Sequence, residues 1–432
     1  MKTLLRKTLT SILSFEASLV LRKYKPRVIA VTGSVGKTSA KDAIHAVIST
    51  CYQARKNEKS FNSEIGVPLT ILGCPNGWSS PKVWFYNVLR GARLIIKKHS
   101  YPEYLILEVG ADHPGDIAYI TRWMKPDLVV LTRMSEIPVH VEYFESPKAV
   151  LAEKMKLVEA LPRTGTVIVN ADDELFMKEI SKIDKKKITY GFYREATVCI
   201  DEVSISYNDS SHCLPRGEKI TLSTNNTQSH IEIPGIIGGH LAYPFAAAVA
   251  VASVLGIENI DWDKALKEYQ APRGRMRLVP GLLGSMVIDD SYNSSPIAVY
   301  EALKTLEEVT TKGRKITVLG DMKELGEYSK AEHEKVGEQA SHIAHTLVAV
   351  GDASRDIHDS AIRAGLSEDR AKWFADSVSA GAYLRDFVRV GDIILIKGSQ
   401  SMRMERVTES LLEKDLKPED YLVRQEEEWQ KR

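Results

Sequence analysis

A short apolar run, Val28-Ile29-Ala30-Val31-Thr32, leads directly into Gly33-Ser34-Val35-Gly36-Lys37-Thr38-Ser39 and then into helix-forming sequence. Strand, glycine turn and helix start in that order make a phosphate cradle. Backbone N–H groups of the turn and of the helix N-terminus point at phosphate oxygens. Gly33, Ser34, Gly36 and Ser39 shape that cradle, Lys37 reaches the β/γ-phosphates, and Thr38 offers its hydroxyl to Mg²⁺. An ordinary P-loop would want glycine where Val31 stands, so this is a shortened form, and that form suggests a particular branch of ATP users. A second chemical group closes the run Leu105–Val109. Glu108, at the C-terminal end of a parallel strand beside the loop strand, stands in the ligand crevice and is a hard oxygen donor suited to Mg²⁺.

Such groups work only if a sheet holds them in register. Val28–Val31, Leu105–Val109, Leu128–Thr132 and Thr166–Asn170 are short runs rich in β-branched residues, with room between them for crossover helices. They predict a parallel sheet covered on both faces. From about 185 to 235 the segments become polar and alternating, as in Thr197–Ser206 and Lys219–Ser223, which predicts a small antiparallel patch on the same domain. An alanine-rich apolar helix, Phe245–Leu255, follows. A second α/β series then runs through strands at Met286–Ile288, Lys315–Leu319, Leu347–Val350 and Ile393–Ile396. Its helices fall near 297–309, 329–344, 377–388 and 401–413. The fold class is therefore α/β, a P-loop ATPase domain followed by a Rossmann-like one. Pro272, Gly274, Pro280, Gly281 and Gly284 mark the junction, giving an N-terminal helix over 1–26, an ATP-binding domain over 27–275, a C-terminal domain over 276–415 and a charged tail over 416–432.

A chain of 432 residues is long enough for two or three cores, and its formal net charge of +1 asks for no nucleic acid or acidic polymer. Cys51, Cys74, Cys199 and Cys213 lack metal-type spacing and fit a reducing cytoplasm. Residues 2–25 place basic ends around Leu9, Ile12, Leu13, Phe15, Leu19, Val20 and Leu21. Thr8, Thr10, Ser11, Ser14 and Glu16 interrupt that run, which excludes a signal-peptide core and a membrane span. The segment reads as an amphipathic helix docked on the first domain, with peripheral contact to an anionic membrane surface as the other reading.

Several motifs in order carry a family resemblance. Gly33–Thr38, Glu108-Val109-Gly110-Ala111 with Pro114-Gly115-Asp116-Ile117, and Asn170-Ala171-Asp172-Asp173 resemble the ATPase domain of the Mur ligases. Asp289-Asp290-Ser291-Tyr292-Asn293, Leu319–Gly326, and Lys397-Gly398-Ser399 with Met402-Arg403-Met404-Glu405-Arg406 are similar to the MurF branch. The resemblance spans roughly residues 27–413. It implies an ATP-dependent ligase that turns a carboxylate into an acyl phosphate and joins it to an amine. In the MurF branch the pieces are a UDP-muramoyl tripeptide and D-alanyl-D-alanine. It further implies ATP, two Mg²⁺ ions and a carbamylated Lys154 as cofactors, and a monomeric cytoplasmic enzyme with small-molecule partners. His140 then matches a metal-holding histidine, and Arg275 an interdomain arginine that meets the ATP phosphates. Asp289, Tyr292 and Asn293 match the nucleotide-contacting turn, and Asn62, Asp321, Lys397 and Ser399 the substrate side. On its own residues Lys154 would be read as a solvated helix lysine.

The chain departs from the pattern at defined places. Only residues 1–26 precede the loop strand, where that branch usually has a UDP-sugar-binding domain. His240-Leu241-Ala242-Tyr243-Pro244 lacks both asparagines of the family helix start. Ser60, Ser63 and Ser295 replace asparagines, Ile297-Ala298 replaces Asp-Ser, Arg133 stands where asparagine is common, and Lys156 where glutamate is. Catalytic types survive better than recognition types. Two other readings follow: the same ligation on a lipid-linked or otherwise UDP-free acceptor, and a nucleotide-binding scaffold that no longer ligates.

Overall fold

The computed structural model describes residues 2–58, 61–208, 213–225, 227–426 and 429. Its first unit is built on one nine-stranded sheet: β1 (Arg27–Thr32), β2 (Ala54–Lys56), β3 (Tyr104–Glu108), β4 (Leu128–Leu131), β5 (Thr166–Asn170), β6 (Lys186–Gly191), β7 (Val198–Tyr207), β8 (Pro215–Ser223) and β9 (Gln228–Pro234). The order is β2-β3-β1-β4-β5-β6-β7-β8-β9. Strands through β7 pair in parallel, and β7, β8 and β9 pair antiparallel. The expected antiparallel patch is thus an extension of the main sheet. Register then decides the chemistry. Val31 of β1 lies opposite Glu108 of β3, and Thr32 opposite Leu131 of β4, so the strand ends converge on the loop after β1.

The two faces of the sheet are covered by different helices. Ile29 and Val31 point to one side, where α2 (Lys37–Ile48) packs against the alanine-rich α8 (Ala242–Leu255). Ala246, Ala247, Ala248, Ala250 and Ala252 are buried there, small enough for the two helices to approach closely. Val28 and Ala30 point to the other side, against α1 (Lys2–Tyr24), α3 (Gly66–Leu72), α5 (Asp116–Thr121) and α6 (Pro147–Glu159). Leu13, Ala17 and Val20 of α1 are fully buried, so the N-terminal helix is docked on the first unit. It lies along α4 (Pro81–Ile96), a helix the sequence reading did not single out. Lys23 Nζ donates to the carbonyls of Leu94, Ile95 and Lys97 at 2.7–2.9 Å, which caps the C-terminal end of α4. The remaining helices of this unit are α7 (Glu174–Ile180) and α9 (Trp262–Glu268).

The second unit has a six-stranded sheet in the order β10-β11-β15-β12-β13-β14. These are β10 (Arg277–Pro280), β11 (Met286–Asp290), β12 (Lys315–Gly320), β13 (Thr346–Val350), β14 (Ala371–Phe374) and β15 (Ile393–Lys397), all parallel except β10. Its helices are α10 (Pro296–Glu308), α11 (Ser329–Ile343), α12 (Arg355–Arg363), α13 (Ser377–Phe387), α14 (Glu405–Leu411) and α15 (Pro418–Tyr421). β10, β14 and α12 are additions to the sequence reading. The expected charged tail is packed along its first half. Buried Arg424 donates to Glu405 at 2.8 Å and to the carbonyls of Ser291 and Tyr292. Most of the stretch from Glu426 to Arg432, expected to fray, lies outside the described residues, as does Ser60.

Candidate active site

The C-terminal ends of the parallel strands of both sheets face one cavity of about 280 Å³. Loop residues Ser34 to Ser39 form its floor. Gly33 (φ 152°) could not be another residue, since a Cβ there would sit 2.0 Å from Thr132 Oγ1. The turn is tied down by Arg133, whose carbonyl accepts from Ser34 N at 2.7 Å and Val35 N at 3.3 Å. Lys37 Nζ folds back on the Ser34 carbonyl at 3.1 Å. The enclosed setting pulls its ammonium below the ordinary lysine range, partly opposed by the Glu108 carboxylate.

Glu108 is held from several sides. Its Oε2 accepts from Thr38 Oγ1 at 2.8 Å, and its Oε1 from Asn62 Nδ2 at 3.2 Å. Behind it, Asn57 clasps the Glu108 backbone, accepting from its N–H at 2.6 Å and donating to its carbonyl at 3.3 Å. Arg275 reaches across from the junction between the units: its guanidinium donates to Thr38 Oγ1 at 3.2 Å and lies 4.3 Å over the ring of Tyr292. Thr38, Glu108, Asn62 and Arg275 thus share one set of contacts. Thr38 and Glu108 present a hard-oxygen pair beside the phosphate loop, a donor set that fits Mg²⁺. Among the described residues no three His, Cys, Asp or Glu side chains converge as a metal cage. Mg²⁺ asks for no such cage, because it takes few protein ligands and completes its shell with phosphate and water.

Lys154, on α6, is buried behind the loop, with Nζ donating to the Gly33 carbonyl at 3.0 Å. Burial, helped by the nearby Lys37 charge, pushes its pKa down to about 7. The side chain is therefore far from a solvated helix lysine. His140 lines the cavity with Nδ1 2.6 Å from Glu324 Oε2 and Nε2 3.4 Å from Asp112 Oδ1. Its bond with His140 holds the Glu324 carboxyl below the usual range.

From the second unit, Tyr292, Asn293 and Lys397 line the cavity, and Lys397 Nζ lies 2.5 Å from Asp290 Oδ2 and 3.0 Å from the Asn293 carbonyl. Three other expected residues lie elsewhere. Asp289 is fully buried, turned toward α14, where it accepts from Thr408 Oγ1 at 3.2 Å. Its neighbour Asp290 lines the cavity instead. Asp321 accepts from Lys323 Nζ at 2.7 Å and Ser354 N at 2.8 Å, and Ser399 Oγ accepts from Lys323 N at 2.8 Å. Those two form a separate polar cluster at the ends of β12 and β15.

Residues that sequence reasoning did not assign complete the walls. Arg133 pairs with Glu301 at 2.5 Å across the two units, and its side chain lies over Tyr243. In the sequence Arg133 stands out only as a departure from the family pattern. Glu324 falls within the Leu319–Gly326 motif and Asp112 between two of the motif segments, whereas Asn57 carries no sequence signal. His240, Leu241, Tyr243, Pro244, Ile297 and Ala298, all from the departing segments, make one largely apolar wall. Buried polar atoms of three cavity-lining residues, Asn170 Nδ2, His240 Nδ1 and Ser294 Oγ, have no protein partner. Such atoms are unfavourable unless a ligand satisfies them.

The Mur ligase middle domain matches residues 31–252, and the glutamate ligase domain of Mur ligases matches residues 274–400. UDP-N-acetylmuramoyl-tripeptide–D-alanyl-D-alanine ligase of Bacillus subtilis is 28% identical over 401 residues, covering 93% of this chain and 79% of the relative. The Escherichia coli protein of the same name is 29% identical over 400 residues, 92% of this chain and 79% of that one. Among solved structures, MurF ligase from Thermotoga maritima in complex with ADP superposes with a TM-score of 0.75 at 23% identity, covering 93% of this chain and 83% of that chain. MurF from Acinetobacter baumannii gives 0.73, also at 23% identity, over 94% and 80%.

Proposed function

The chain belongs to the Mur ligase family, and from that premise we propose that it is an ATP-dependent carboxylate–amine ligase of the MurF type. It adds D-alanyl-D-alanine to a UDP-muramoyl tripeptide in peptidoglycan precursor synthesis, acting as a cytoplasmic monomer. The relatives named above act in that way by their names. One observation carries the reading: Lys37, Thr38, Glu108, His140, Arg275, Tyr292 and Asn293 come from two separate units and line a single cavity.

The reaction has two steps. A carboxylate oxygen of the acceptor attacks the γ-phosphorus of ATP, the bond to the bridging oxygen breaks, and ADP leaves. The amine then attacks the acyl carbon, loses a proton, and the C–O bond to phosphate breaks as the amide forms. Neither step needs a protein nucleophile, so the side chains act by placement and charge. Lys37 and the loop amides neutralise the transferring phosphoryl group, and Arg275 adds a second cation from the junction. Thr38 and Glu108 would hold Mg²⁺, which when bound would draw charge off the phosphate oxygens. His140 would help hold a second ion. Asn62 fixes the Glu108 carboxylate and stands at the acceptor side. In Lys154, an amine whose pKa is about 7 is largely available in its neutral form, the form that adds to CO₂. The resulting carbamate would replace a cation behind the loop with an anion that supports metal. The apolar wall with His240 and Asn170 suits a nucleobase.

The test is direct. ATP, D-alanyl-D-alanine and a panel of muramoyl peptides are incubated with the protein and the products weighed, with Lys37→Ala as control. A product heavier by the dipeptide less water is expected, and loss of at least about 10²–10³-fold in rate for the variant. ATP turnover independent of both amine and acceptor would instead indicate a protein that hydrolyses nucleotide without ligating.

A further inference from the structure

The outer side of α4 carries a pattern that neither the core nor the candidate active site explains. At 100° per residue, Phe85, Leu89 and Ile96 fall within about 40° of one another on the helix, and Lys82, Arg93, Tyr86, Lys97 and Arg90 follow within about the next 100°. Phe85, Tyr86, Leu89 and Ile96 are 63%, 66%, 47% and 79% exposed. The opposite side, with Asn87 and Gly91, is buried against the unit. Beside α4, α1 leaves Phe15 65% exposed and buries its carboxylate, Glu16, next to Gly91.

Charge on this lobe is segregated. Residues 6–27 and 65–102 hold eleven lysines and arginines and one carboxylate, Glu16, in a chain whose net charge is +1. Two of the eleven are already engaged: Lys23 caps α4 and Arg6 pairs with Glu64. A cleft of about 590 Å³ opens on the basic flank, lined by Arg90, Arg93, Arg55, Tyr86 and Tyr101 among others. No described helix is long and apolar enough to cross a membrane.

We propose that the outer face of α4, with Phe15 of α1, docks the protein in the plane of an anionic lipid bilayer. Phe85, Leu89 and Ile96 enter the boundary between head groups and acyl chains, Tyr86 sits at head-group level, and Lys82, Arg90, Arg93 and Lys97 meet lipid phosphates. An apolar stripe alone would suit a protein partner equally well. The absence of any carboxylate over 65–102 selects a surface that is uniformly negative. The contact also has a bearing on the chemistry. Arg6 of α1 bonds Glu64 at 2.9 Å, two residues from Asn62, so a docked α1–α4 pair brings the acceptor side of the cavity near the membrane. The proposal does not depend on the ligase reading.

Co-sedimentation of the full chain with phosphatidylcholine vesicles, with and without phosphatidylglycerol, tests it. Binding is expected only to the anionic vesicles, and is weakened by salt. Removing Arg90 and Arg93 with glutamine should weaken it about fivefold per charge. The variant F85S/L89S/I96S, altered only at outward-facing positions, should lose vesicle binding while keeping its circular dichroism and thermal transition. Equal binding to neutral and anionic vesicles, or full binding by F85S/L89S/I96S, overturns the proposal. So does a dimer of the parent that this variant abolishes, since the face would then belong to a second copy.

Discussion

Lys154 places an amine, 4% exposed, against a backbone carbonyl in the wall of a phosphate loop. Its depressed pKa has a defined effect on stability. Below about pH 7 the side chain is protonated folded and unfolded alike, and burying that charge opposes folding. From about 7 up to the ordinary lysine value, the folded chain sheds a proton that the unfolded chain keeps, so stability rises with pH across that window. Lys154→Met should therefore be the more stable protein below pH 7 in urea titrations, with its advantage shrinking as pH climbs. The functional counterpart is a carbamate carbon signal in the NMR spectrum of protein equilibrated with ¹³C-bicarbonate. It should be absent in Lys154→Ala and fade below pH 7, and short-chain carboxylic acids should restore part of the variant's activity. No such signal well above pH 7 would remove the anion from the mechanism. At this scale the sequence was informative where a backbone turn and one Lys-Thr pair define the chemistry. It was silent on which of two adjacent carboxylates lines the cavity. Successive side chains on a strand point to opposite faces, so Asp289 and Asp290 could be separated only once β11 had a core on one side.

Among the elements, α3 shows how tightly the loop carrying Asn62 is fixed. Gly66 opens that helix, and a Cβ there would stand 2.4 Å from the backbone Cα and carbonyl carbon of Phe61. Backbone cannot move aside as a side-chain tip can, so the loop itself must shift. The next residue is Asn62, which donates to Glu108 and whose carbonyl accepts from Gly110 N at 2.9 Å. Gly66→Ala is expected to destabilise the fold by about 1–3 kcal/mol, the usual range for overpacking, and to lower ligation more than nucleotide binding. Equal stability and activity in the variant would show the loop to be looser than its contacts imply. The elements that sequence reading found were those with long apolar runs, such as β1, β3 and α8. Those it missed were short or edge elements. β10 and β14 have four residues each, and α12 owes its helix to a narrow apolar stripe of Ile357 and Ala361.

Across the whole molecule, the two units meet over the cavity through a small number of polar contacts. Arg133 pairs with Glu301, His140 with Glu324, and Arg275 spans from Thr38 to Tyr292. The junction is hydrogen-bonded to both sides: Tyr292 N donates to the Gly274 carbonyl at 3.0 Å, and Ile237 N to the Met276 carbonyl at 3.2 Å. Gly274 and Met276 both have positive φ, at 67° and 51°, so the turn of the chain is concentrated on few residues. A sequence can mark such a junction by its prolines and glycines, but not the partners that meet across it, because Arg133 and Glu301 are 168 residues apart. A nucleotide gripped by both units is expected to enter as they separate, and their closure would shield an acyl phosphate from water. Polar contacts between partly exposed side chains are weak individually, and charged ones are screened by salt. The joined arrangement should therefore give way to a more open one when Glu301→Gln and Glu324→Gln are combined, or when salt is raised. A non-hydrolysable ATP analogue with acceptor should reverse the change by supplying phosphates for Lys37 and Arg275 to share. Small-angle scattering reads both directions as a change in radius of gyration. If the double variant scatters like the parent in every condition, with ligand binding verified, closure is held by the apolar packing around the junction and the polar bridges serve the chemistry alone.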